Sequence, residues 1–222
     1  DHQVYIEPDL GWKWIQRPDL DLTGIDVNAS PYPRDYILAD DFLCTERSAI
    51  SEIHVWGSWL GDILPNFEPH NASFILSIHS DQPASGTDYS RPLEPLWERY
   101  FPPGSFNVRP YMEQIAEGWM DPPDVYLPPP ADTICYEYVF TVPHEEAFIQ
   151  EGSEQSPVVY WLDVKAFPEG DGTEDGVFLL GDGRVLLIKG YLDAVATMIG
   201  GSVPEEEGAE DGPMEVICYR VL

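Results

Sequence analysis

The residues in this chain best suited to chemistry are its carboxylates. Asp40 and Asp41 stand side by side in Tyr36-Ile-Leu-Ala-Asp-Asp-Phe-Leu-Cys44, a segment rich in β-forming residues. In a strand, neighbours face opposite sides, so one of the pair points inward or towards a loop. A hard cation such as Ca²⁺ needs several carboxylate and carbonyl oxygens. Asp40 or Asp41 together with Asp62, Asp81 or Asp163 would supply them. The plainer alternative is a carboxylate bonded to backbone amides at a strand end. The loop Asp171-Gly-Thr-Glu-Asp175-Gly is a second Ca²⁺ candidate, although it lacks the 12-residue order of an EF-hand and also reads as a solvated turn. His54 and His79 share parity within two strand candidates. If those strands pair, the two imidazoles and Asp81 would form a two-His-one-carboxylate metal site. Otherwise they are unrelated histidines.

The aromatic residues offer a different chemistry. Trp56, Trp59, Trp97 and Trp119 are candidates for stacking on pyranose rings, with Trp56 the best placed because it faces opposite Val55. Core packing is the alternative use of these indoles. Catalysis has little support, because neither a Gly-x-Ser-x-Gly elbow nor an HExxH motif occurs. Glu145-Glu146 would resemble a glycosidase pair only by chance in a chain with 40 acidic residues.

These residues must be held by strands. Seven Trp, 12 Tyr, 22 Pro and 18 Gly in 222 residues fit many short strands joined by rigid turns. Strand candidates fall at Tyr36–Cys44, Ile50–Leu60, Ser73–His79, Leu96–Phe101, Ser105–Arg109, Thr133–Thr141, Pro157–Ala166 and 214–222. A hairpin is expected over Gly176–Ile188, turning at Gly181-Asp-Gly183. A short helix is expected over Tyr111–Met120, one or two helical turns over Pro143–Gln150, and strand or helix over Tyr191–Ile199. About ten strands at this spacing predict an all-β domain, an antiparallel sandwich or jelly roll. It would occupy residues 36–222, with a mobile acidic loop at 200–213, behind an extended arm over 1–35 that carries Val4-Tyr-Ile6.

Forty acidic against 11 basic residues give a net charge of −29, which repels nucleic acid and anionic lipid. No apolar run reaches the roughly 20 residues of a membrane span. Cys44 and Cys135 would pair as a disulfide with Cys218 left over, or all three would be buried thiols. The start at Asp1, without Met or an apolar leader, reads as a mature secreted form. Asn28 and Asn71 each open an Asn-Ala-Ser sequon and would accept glycans if the host glycosylates.

The block Leu38-Ala-Asp-Asp-Phe42, followed by Ile50-x-x-Ile-x-x-Trp-Gly57, resembles a family of secreted bacterial β-sandwich modules of unknown function. These modules occur in surface-anchored and extracellular proteins of planctomycete-like or environmental bacteria. Gly24–Ala29, Leu76–Asp81, Glu117–Pro123 and Val159–Val164 extend the likeness over roughly residues 10 to 167. Beyond it, Val177-Phe-Leu-Leu-Gly-Asp-Gly stands where the family pattern has a Trp-rich strand. The resemblance implies a sandwich and an extracellular or cell-surface location, and no activity. The expected function is a non-catalytic structural or adhesive module of a surface layer, filament or matrix, self-associating by strand addition at either end of the chain. Carbohydrate binding is the alternative, with a glycoside hydrolase or metalloenzyme behind it. Ca²⁺ is the one cofactor suggested.

Overall fold

The computed structural model describes residues 16–30, 37–123 and 125–168, together with the backbone of three short strands further on. In chain order the strands are β1 (Ile25–Val27), β2 (Ile37–Cys44), β3 (Ser48–Ile50), β4 (Glu52–Ser58), β5 (Ala72–Gln82), β6 (Arg91–Phe101), β7 (Asn107–Glu113) and β8 (Gly118–Asp121). They continue with β9 (Val125–Leu127), β10 (Ile134–Thr141), β11 (Phe148–Gln150), β12 (Val158–Pro168), β13 (Val177–Leu179), β14 (Val185–Leu187) and β15 (Val216–Ile217). Helical structure among the described residues is limited to 3₁₀ turns between positions 60 and 71. Among them, no helix is long and apolar enough to cross a membrane.

Alternation along the strands explains the layers. On β12, Leu162, Val164 and Ala166 face one way, and on β5 Phe74, Leu76 and Ile78 match them. These strands belong to a sheet ordered β15-β2-β12-β5-β6, antiparallel except where β15 lies parallel to β2. The second sheet, β4-β10-β7, is antiparallel and turns Ile53, Val55, Tyr138 and Phe140 towards the first. The two inner faces share one core, which makes the domain an all-β sandwich. Its centre is aromatic: Phe74 lies edge-on to Phe106 and Phe140 at centroid distances of 5.1 and 5.0 Å, and Phe101 meets Phe140 at 4.9 Å. The Trp59 indole N–H donates to the Tyr138 hydroxyl at 2.8 Å, so both large polar-tipped rings are satisfied at full burial.

A third, smaller sheet has the order β1-β8-β9, with β1 parallel to β8 and β9 antiparallel to it. Residues 25–27 of the expected N-terminal arm are therefore built into the domain. Val4–Ile6 lies outside the described residues, as do Tyr191–Ile199 and the acidic loop 200–213.

Several expectations need correction. Tyr111–Met120 is not a helix, since β7 runs to Glu113 and β8 opens at Gly118. Ile115 and Trp119 are both buried at helical spacing, but they serve different elements, so tertiary pairing overrides local periodicity. Pro143–Gln150 forms a turn and then β11, paired with β3. Cys44 and Cys135 are buried thiols on strands of different sheets and are not joined to each other. Cys44 bonds Gln150 Oε1 at 3.0 Å, while Cys135 packs with Trp56 and Ile115. Cys218 lies outside the described residues. Of the expected C-terminal strand, Val216–Ile217 is described as β15, which pairs in parallel with β2 at the edge of the first sheet. The expected hairpin is present in the pairing of β13 with β14.

Candidate metal centre

Three buried carboxylates meet where the small sheet abuts the end of the β4-β10 pair. Asp26 is the middle residue of β1, in register with Trp119 of β8. Glu117 stands immediately before β8, and Asp132 stands just before β10. Backbone bonds stitch these segments together. Gly118 N–H donates to Gly24 O at 2.9 Å, Ala131 N–H to Glu117 O at 2.9 Å, and Gly61 N–H to Ala131 O at 2.8 Å. Asp62 fixes the next residue, accepting from Thr133 N–H at 2.9 Å and from its hydroxyl at 2.7 Å. Gly24 permits the close approach, since a Cβ there would stand 2.1 Å from Asp19 O and 2.9 Å from Glu117 Oε1.

One oxygen from each of Asp26, Glu117 and Asp132 lies within 4.8 Å of the others. The three residues are 1%, 2% and 2% exposed, which closes the group to bulk solvent. Glu117 Oε2 and both Asp132 oxygens are buried without a hydrogen-bond partner. The Ser58 hydroxyl at the end of β4 is likewise buried and unpartnered. It lies close enough to Asp132 to favour its ionised form, without the alignment of a formed hydrogen bond. Burial first, then the neighbouring Asp26, pushes both Glu117 and Asp132 up to about 9. Such a set holds either protons or a cation, and its all-oxygen chemistry suits a hard divalent ion.

The carboxylates singled out from the sequence are employed separately. Asp40 is buried among the inward residues of β2, and its Oδ1 accepts from Asp41 N–H at 2.9 Å. Asp81 accepts from the Trp161 indole at 2.9 Å and from the Ser90 hydroxyl at 2.5 Å. Asp163 faces His79. Asp62 borders the buried trio, and its charge adds to the proton affinity of Asp132. Asp171 and Asp175 lie outside the described residues.

The two histidines are not brought together. β4 pairs with β10, while β5 pairs with β12 and β6, so His54 and His79 sit on the outward sides of different sheets. Each has its own partners. His54 Nδ1 lies 2.8 Å from Glu137 Oε1, and its Nε2 lies 2.8 Å from Glu52 Oε1. Burial opposes charge on both His54 and Glu137. Hydrogen bonds outweigh it, so His54 is raised and Glu137, also bound by Arg109 at 2.6 Å, is lowered.

The aromatic platform is also corrected. Trp56, Trp59 and Trp119 are 8%, 0% and 3% exposed, and Trp97 is half-buried with its N–H on Glu146 O. The indoles of Trp56, Trp59 and Trp119, spent on packing, offer no stacking face. Asn28 is buried with its amide on Asp121, which shields that sequon in the folded domain, whereas Asn71 is half-buried.

None of the three clustered acids was singled out from the sequence. The available signal was an acid set among apolar residues, as in Gly24-Ile-Asp-Val27, where a strand must bury it. Asp132, in a Pro-rich loop, carries no such mark.

The fold and this closed acidic group define an all-β sandwich with a buried carboxylate cluster. The chain belongs to the DUF7901 family, a domain of unknown function, whose model matches residues 12–178 and so includes all three acids. No curated protein and no solved structure matches the chain.

Proposed function

We propose that this domain is a non-catalytic extracellular structural or adhesive module that joins its neighbours by strand addition along β6. The observation that carries this reading is the edge of the first sheet. β6 spans 11 residues and, among the described residues, pairs only with β5. Its Leu93, Leu96 and Tyr100 are 45%, 53% and 53% exposed. Pro92 and Pro95 blunt the first half of the strand, but Leu96–Phe101 contains no proline. An open row of amides and carbonyls beside exposed apolar side chains is the surface that β-augmentation uses. The net charge of −29 holds copies apart at low ionic strength, so association by this route requires salt to screen it.

Sedimentation velocity with electron microscopy, at about 150 mM salt where the Debye length is roughly 8 Å, tests the reading. The wild type is expected to form ordered assemblies as concentration rises. The double substitution Leu96→Lys/Tyr100→Lys is expected to stay monomeric with an unchanged circular dichroism spectrum. A wild type that remains monomeric throughout, or a folded double variant that assembles equally well, rules the reading out.

A further inference from the structure

We infer that Asp26, Glu117 and Asp132, completed by the Ser58 hydroxyl, form a buried binding site for one hard divalent cation, with Ca²⁺ the best match. The inference is independent of whether β6 assembles.

The donor chemistry carries it first. Three carboxyl groups from three separate segments converge within 4.8 Å, and no basic side chain among the described residues forms an ion pair with Glu117 or Asp132. Buried carboxylates are ordinarily paired or bound to metals, because an uncompensated charge in a dry site costs several kcal/mol. Oxygen-only donors select Ca²⁺ or Mg²⁺ over transition metals, and Ca²⁺ accepts the irregular geometry that carboxylates from three segments provide.

Ser58 is the second, independent observation. It is 2% exposed, its hydroxyl has no hydrogen-bond partner, and it lies beside Asp132 but on β4, a strand that contributes none of the acids. A buried hydroxyl left unbonded beside two unbonded carboxylate oxygens is costly in the protein alone. The same four groups become an ordinary ligand shell around a cation. The surrounding structure fits this role as well. Gly24 and the bonds among Gly118, Ala131 and Gly61 fix the three segments through their backbones. Because the site joins β1, the start of β8 and the approach to β10, a bound ion would tie the small sheet to the sandwich.

Tb³⁺ substitutes for Ca²⁺ and is sensitised by nearby indoles. Trp59 adjoins Ser58 in sequence, and Trp119 stands in register with Asp26. The expected result is one high-affinity Tb³⁺ per chain with tryptophan-sensitised emission, displaced by Ca²⁺, and a higher unfolding temperature in Ca²⁺ than in chelator. Glu117→Gln and Asp132→Asn, each similar in shape, should weaken binding by about 10- to 100-fold or more and abolish the Ca²⁺-dependent rise. Asp88→Asn, on an exposed turn, should change neither. Should one variant fail to fold, the other and the wild-type stoichiometry still decide the matter. Absence of sensitised emission from the wild type would overturn the site, as would undiminished binding in a folded Glu117→Gln or Asp132→Asn.

Discussion

At the scale of single residues, the candidate histidines of this domain are committed to specific partners, and that commitment has a pH signature. His79 places Nδ1 2.6 Å from Leu93 O and Nε2 2.8 Å from Asp163 Oδ2. Two acceptors require two donors, so the ring is fully satisfied only as imidazolium. Burial opposes the charge and Lys165 adds repulsion, yet the bonds to Asp163 and Leu93 prevail and the pKa is raised. A raised folded-state pKa stabilises the fold fully below the unfolded value of about 6.5, and that stabilisation is lost as pH rises through the folded value. Thermal unfolding followed from about pH 6 to 9 should therefore show stability falling with pH, with a smaller slope in His79→Gln. A slope unchanged by that substitution would show that His79 is not charged in the folded state. Parity predicted which residues share a face here: Ile53 and Val55 turn inward, while His54 and Trp56 turn outward. Parity did not reveal that the outward face is covered too, and Trp56 is buried because Ile115 and Tyr111 pack on it.

Among the elements, the strands that were legible in the sequence are those with both a strong β-forming run and long pairing. β2, β5, β10 and β12 all lie where alternating apolar and aromatic residues place them. The elements that were misread draw their structure from distant partners. β8 and β1 are short and pair in parallel across a long sequence separation, for which local periodicity gives no sign. The acidic cluster was hidden for the same reason, since its three members come from segments joined only in the fold. The aromatic centre shows the energetic side of long-range pairing. Phe140 is fully buried on β10 and touches Phe74, Phe101 and Phe106 from three other segments. Phe140→Ala should lower unfolding free energy by about 3–5 kcal/mol, read from denaturant titration. A loss below about 1 kcal/mol would mean that the two sheets do not share this core as described.

Across the whole molecule, acidity, closure and an open edge belong together. A domain with a net charge of −29 repels its copies and most anionic partners, while among the described residues Asp26, Glu117, Asp132, His54 and His79 are buried or paired. Among the described residues β6 forms one edge of the first sheet, with Leu96 and Tyr100 exposed on it. Family membership over residues 12–178 includes this strand and the carboxylate cluster alike. Hydrogen–deuterium exchange of the β6 amides, compared between dilute and concentrated protein at equal salt, addresses strand addition most directly. In dilute protein the amides of Leu96–Phe101 that do not bond β5 should exchange rapidly. At high concentration those same amides should slow by about tenfold or more, because a neighbouring strand has bonded them. Particles that assemble while these amides still exchange at the dilute rate would contradict the account, for the contact would then lie elsewhere.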